Sequence, residues 1–146
     1  MKKSIIFEEE AEGLEESNLF AKKIAQKLNP DDIVLLYGDL GAGKTYLVKR
    51  IVKHLNISSE VTSPSFSIIN QYGASRIVFH LDLYRIKNKQ EIINTGFEEI
   101  LNSDAIVLIE WPQIVQEELN WKHYRLYIET NPGNQYWRKF SFYEVN

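Results

Sequence analysis

The spacing of hydrophobic positions changes period several times along the chain, and each change marks an element. Ile5-Ile6-Phe7 is a short apolar run that predicts a strand. From Gly13 to Leu28 the apolar residues Leu14, Ala21, Ile24, Ala25 and Leu28 recur at helical spacing, which predicts a helix with those side chains toward the core, stopped by Asn29-Pro30. Ile33 to Tyr37 is apolar without a break, the pattern of a strand covered on both faces in a parallel sheet. Helical spacing returns from Tyr46 to Leu55, with Leu47, Val48, Ile51, Val52 and Leu55 on one stripe and Lys49, Arg50 and Lys53 on a solvated face. Ser67 to Tyr72 and Arg76 to Asp82 flank Gly73-Ala74-Ser75 and predict a hairpin. A helical region from Lys89 to Leu101, broken near Gly96, leads to Ala105-Ile106-Val107-Leu108-Ile109, which closes on Glu110. After Pro112 a short helix is expected, then two alternating segments, His123 to Glu129 and Tyr136 to Val145, joined by Asn131-Pro132-Gly133-Asn134. This order predicts an α/β fold with a mainly parallel central sheet flanked by helices, extended by antiparallel strands from the N-terminus or the C-terminal hairpin.

Composition narrows the picture. At 146 residues the chain fits a single domain, too short to hold a nucleotide domain and a separate catalytic domain. Seventeen basic residues against 20 acidic ones leave a net charge of −3, so an independent grip on tRNA or DNA is not expected. The absence of cysteine excludes disulfides, thiolate metal sites and a cysteine nucleophile, and fits a reducing cytoplasm. No apolar run approaches membrane-spanning length, and the N-terminal run meets Glu8 almost at once, so a cytoplasmic protein without membrane attachment is expected.

Gly38-Asp39-Leu40-Gly41-Ala42-Gly43-Lys44-Thr45 is a complete G-x-x-x-x-G-K-[ST] loop, set between the apolar strand and the amphipathic helix. That setting makes it a P-loop for a nucleoside triphosphate. Glycines at 38, 41 and 43 let successive backbone N–H groups curl into an anion nest, and the helix adds the positive end of its dipole. Asp39, Leu40, Gly41, Ala42, Gly43, Lys44, Thr45 and Tyr46 are the expected nucleotide contacts. Lys44 would reach the β- and γ-phosphates and the Thr45 hydroxyl would take one position on Mg²⁺. The metal site also needs a carboxylate at the end of a neighbouring buried strand, where Glu110 and Asp82 both lie. Lys44, Asp82 and Glu110 therefore form the expected catalytic set, with Thr45 and Glu110 as metal ligands. His80 reads as a buried, hydrogen-bonded orienter rather than a base. Thr62-Ser63-Pro64-Ser65-Phe66 is either a phosphate-sensing loop or an ordinary turn.

Taken together, the P-loop, Thr62-Ser63-Pro64-Ser65-Phe66, His80-Leu81-Asp82-Leu83-Tyr84-Arg85 and Glu110-Trp111-Pro112 resemble, in this order, the TsaE family, also written YjeE. The resemblance covers nearly the whole chain. It implies a small P-loop ATPase, using ATP and Mg²⁺, that supports threonylcarbamoyladenosine formation in tRNA with the TsaB and TsaD proteins and meets tRNA only through them. It also implies Glu110 as the acidic metal ligand and Asp82 as a second functional carboxylate. Tyr46 and Ser65 depart from the family's usual small hydroxyl residue and threonine, and Asn18-Leu19-Phe20-Ala21 lacks a glycine common in that helix. Other classes remain open from the residues alone: a small-molecule P-loop kinase, for which Arg76, Arg85, Arg125 and Arg138 are scattered, or a nucleotide-binding module that never hydrolyses. Asn88-Lys89-Gln90-Glu91 is a decoy for the guanine-reading N-K-x-D motif, because it comes too early and ends in Glu. The roles of Asp39, as a brace of the loop, of Asp82 and of Arg85 stay open.

Overall fold

The structure is a computed structural model and describes residues 1–57 and 68–146. Its strands are β1 (Lys3–Ala11), β2 (Ile33–Tyr37), β3 (Ile69–Tyr72), β4 (Val78–Asp82), β5 (Ile106–Glu110), β6 (His123–Asn131) and β7 (Asn134–Val145). They form one sheet in the order β1-β7-β6-β2-β5-β4-β3. The pairs β6·β2, β2·β5 and β5·β4 are parallel, whereas β3 on one flank and β7 with β1 on the other run antiparallel to their neighbours.

Side-chain alternation along β2 explains its unbroken apolar sequence. Val34 and Leu36 face the helices α1 (Leu14–Lys27) and α2 (Lys44–His54), joining Phe20, Ile24, Leu47 and Ile51 in one core layer. Ile33 and Leu35 face the other way, toward Phe97 and Leu101 of α4 (Phe97–Leu101), Ile92 of α3 (Lys89–Ile93), and Val115 and Leu119 around two 3₁₀ turns. A residue of either parity is thus removed from water, which for a side chain of this size contributes about 1.5–3 kcal/mol. Gly96, with φ 81°, is the left-handed break between α3 and α4. Asn88 caps α3 by accepting from the Glu91 amide at 3.1 Å, while the Glu91 carboxylate accepts from the Lys87 amide at 3.0 Å, so the N-K-x-D lookalike is a helix start.

Two expectations need correction. Leu14 lies on the predicted stripe but is 67% exposed, because as the first residue of α1 it overhangs the packed layer; Phe20, 1% exposed and stacked on Phe140 at 4.5 Å, fills the core instead. The N-terminal strand runs on through Glu8-Glu9-Glu10 to Ala11, since as an edge strand it can carry charge and pair Glu10 opposite Lys139. The N-terminus and the C-terminal hairpin both extend the sheet, and β6, the first arm of that hairpin, belongs to the parallel part through its pairing with β2.

Candidate functional site

Parallel register brings the carboxyl ends of β2, β5 and β4 side by side, with Leu36 opposite Glu110 and Glu110 opposite Asp82. The turn from Tyr37 into α2 leaves the same edge, where ligands of open α/β sheets bind. Its glycines answer to two constraints. Gly41 and Gly43 have φ of 83° and 100°, a left-handed backbone that favours glycine, and Gly43 is the N-cap of α2. At Gly38 the constraint is approach: a Cβ would lie 3.1 Å from the Ile128 carbonyl oxygen of β6. Within the loop the Ala42 amide donates to the Asp39 carbonyl at 2.9 Å.

Lys44 is buried at the base of this loop. Its ammonium donates to the carbonyls of Gly38 and, at 3.1 Å, Asp39, and sits 4.0 Å from the centroid of the Trp111 ring. Burial lowers its pKa, against the opposing pull of Glu110, Asp82 and Asp39. Thr45, next in the helix, donates its hydroxyl to Glu110 Oε2 at 2.9 Å, with Oε1 at 3.1 Å. Glu110 is 2% exposed, and its second donor is His80, whose Nε2 lies 2.5 Å from Oε2. A carboxylate only accepts, so Nε2 carries the hydrogen; His80 Nδ1 is buried with no partner among the described residues. Trp111 turns over Lys44 because its backbone is left-handed, φ 54°, at a cost on the order of 1–2 kcal/mol, and its ring also meets Tyr84 at 4.9 Å.

The remaining expected residues are more dispersed. Asp82 is half-buried beside Glu110, and its Oδ1 accepts from the Tyr84 amide at 3.1 Å. Asp39 is exposed, and Leu40 is 72% exposed at the loop tip. Tyr46 points its hydroxyl at the Leu14 carbonyl, 3.3 Å away, across a cavity of about 100 Å³ that Leu14, Ser17, Tyr136 and Arg138 also line. Arg85 is exposed, and Thr62 to Phe66 lie outside the described residues. Arg50, expected on a solvated face, is half-buried and donates to Asn18 of α1 at 2.6 Å. Arg138 was only one of four scattered arginines in sequence, yet its Nε donates to the Ala42 carbonyl of the loop at 2.8 Å. No local pattern could have flagged it.

Hard-cation chemistry suits the oxygen donors of Thr45 and Glu110. Among the described residues no three His, Cys, Asp or Glu side chains gather into a metal cage. Mg²⁺ does not demand one, since it keeps several waters and takes one or two protein ligands beside the phosphates.

The chain matches the family model described as "Threonylcarbamoyl adenosine biosynthesis protein TsaE" over residues 11–140. It is 46% identical over 107 residues to the tRNA threonylcarbamoyladenosine biosynthesis protein TsaE of Rickettsia felis, a match spanning 72% of this chain and 62% of that protein. The match to the same-named protein of Rickettsia conorii likewise spans 61% of its length. With the Bacillus subtilis TsaE protein it shares 34% identity over 132 residues, 90% of this chain and 81% of that one. The crystal structure of Bacillus subtilis YdiB superposes with a TM-score of 0.77 at 26% identity, covering 98% of this chain and 88% of that one.

Proposed function

The chain belongs to the TsaE family, and we propose that it is a Mg²⁺-dependent ATPase, a single P-loop domain over its 146 residues, that binds and hydrolyses ATP to support threonylcarbamoyladenosine modification of tRNA together with TsaB and TsaD proteins. The observation that carries the chemistry is the meeting of Thr45 and Glu110 at 2.9 Å beside Lys44, next to a loop in which Gly41 and Gly43 are left-handed. The loop amides and the α2 dipole bind the triphosphate, and Lys44 turns its ammonium from the Gly38 and Asp39 carbonyls to the β- and γ-phosphates. Thr45 and Glu110 are the residues that would hold Mg²⁺, which supplies charge neutralisation on the phosphate oxygens. Asp82, beside Glu110, orients the attacking water, and His80 keeps Glu110 turned toward Thr45. The cavity beside Tyr46 is the proposed seat of the base. The cytoplasm is the proposed compartment; no helix among the described residues is long and apolar enough to cross a membrane.

The test is phosphate release from Mg²⁺-ATP by the chain alone, with TsaB or TsaD singly, and with both. Slow turnover alone and acceleration by the pair are expected, because a group supplied in trans can raise phosphoryl transfer by ~10³ or more. Lys44→Ala should abolish most binding and turnover in every arm. Full activity of the isolated chain, indifferent to the pair, would overturn the partner dependence, and transfer of labelled phosphate to a small acceptor would make the protein a kinase.

A further inference from the structure

The geometry points to Arg138 of β7 as a positioning residue for the phosphate nest, a role that rests on reading the loop as the nucleotide site. Its side chain reaches the loop from 96 residues away and makes a charge-assisted hydrogen bond from Nε to the Ala42 carbonyl at 2.8 Å. The guanidinium is itself anchored, with Nη1 donating to the carbonyls of Gln135 at 2.8 Å and Trp137 at 2.7 Å. Arg138 therefore ties the β6–β7 hairpin to the loop rather than resting against it.

Ala42 is flanked by Gly41 and Gly43, both at positive φ, so the peptides on either side of it sit between the most permissive residues of the chain. Without an anion, amides converging on one point repel one another and such a loop gains by turning a peptide plane over. The Ala42–Gly43 peptide is trans, as are all peptides among the described residues, so the Ala42 carbonyl and the Gly43 N–H lie in one rigid plane and point in opposite directions. A donor held on the carbonyl fixes where the N–H aims. Among the described residues the Gly43 N–H has no hydrogen-bond acceptor in the protein, as an amide reserved for a ligand would. The guanidinium also polarises that peptide and strengthens the amide as a donor. Arg138 thus holds the loop ready for phosphate in the ligand-free protein, independently of Thr45 and Glu110.

The test compares wild type with Arg138→Met, Arg138→Gln and Arg138→Lys, measuring ADP and ATP affinity with and without Mg²⁺, and the Gly43 amide resonance and its hydrogen exchange in the ligand-free chain. Met and Gln should weaken ADP and ATP binding by about tenfold, the loss of one charge-assisted hydrogen bond, with the ratio of affinities with and without Mg²⁺ unchanged. Their Gly43 resonance should shift and exchange faster before any nucleotide is added. Lys keeps a charged donor group without the guanidinium fork and should recover part of both. Should Arg138→Met fail to fold, Arg138→Gln and Arg138→Lys carry the comparison. Wild-type affinity with an unmoved Gly43 amide in a folded variant overturns the inference, as does a loss confined to the Mg²⁺-dependent component. A wild-type chain that binds neither ADP nor ATP would defeat the nucleotide reading itself, while the ligand-free Gly43 measurement would still decide whether Arg138 sets the loop.

Discussion

A carboxylate as buried as Glu110 must be matched by donors, and Thr45 and His80 supply them at 2.9 and 2.5 Å. Its surroundings differ from those of Asp82, whose Oδ1 is turned to the Tyr84 amide in a half-buried position. Glu110→Gln should make nucleotide affinity nearly insensitive to Mg²⁺, because a neutral amide holds a hard cation poorly. Asp82→Asn should leave affinity within about twofold and lower turnover by 10²-fold or so, the scale of a misplaced water-orienting group. A Mg²⁺ titration of nucleotide binding in both variants reads the difference, and the reverse pattern would exchange the roles. Trp111 provides a signal for it: nucleotide that draws Lys44 away from the indole, now 4.0 Å from the ammonium, should change its fluorescence, and a Trp111→Phe chain that keeps the whole change would refute that source.

Among the elements, β6 joins the parallel sheet to the antiparallel flank, pairing with β2 on one side and β7 on the other. Its first residue, His123, is buried in a defined neutral form: Nδ1 donates to the Trp121 carbonyl at 2.9 Å, and Nε2 accepts from Arg125 Nε at 3.1 Å. Burial depresses its pKa below the ordinary 6.5, opposed by the Trp121 carbonyl and helped by the Arg125 charge. The unfolded chain therefore takes up a proton at a pH where the folded chain still refuses it. Stability from this group is complete above pH 6.5 and is lost as pH falls from there through the depressed folded value. Urea unfolding between pH 8 and 5 should show this decline, and His123→Asn should flatten part of it while lowering stability at pH 8. An identical slope in the variant would assign the effect elsewhere, to His54 first, whose pKa is lowered by burial as well.

At the scale of the whole molecule, charge decides what the chain can hold without help. With 17 basic residues outnumbered by 20 acidic ones the chain has no net positive field to attract tRNA, and binding to a polyanion is driven chiefly by the counterions that phosphate-contacting cations release. The isolated chain should leave tRNA free at micromolar concentrations in about 0.15 M salt, and association should require the TsaB and TsaD proteins. Gel shift or fluorescence anisotropy with labelled tRNA checks this, and tight, salt-sensitive binding by the chain alone would contradict it.

What the sequence determined by itself was local. The P-loop, its flanking strand and helix, the glycine break at Gly96 and the carboxylates at the ends of β4 and β5 were legible because each rests on backbone preferences acting over a few neighbouring residues. His80 was legible as a buried, hydrogen-bonded side chain for the same reason, from its place inside an apolar strand. Only tertiary structure decided the rest. Strand order and register brought Thr45 to Glu110 across 65 residues and Arg138 to Ala42 across 96, and no local pattern encodes which strands become neighbours. The choice of Phe20 over Leu14 for the core depended on where α1 overhangs the sheet, a property of packing that helical periodicity does not contain. Chemistry-bearing residue types are visible one at a time along a chain, whereas a site is a set of distances, and those exist only once the sheet has closed its order.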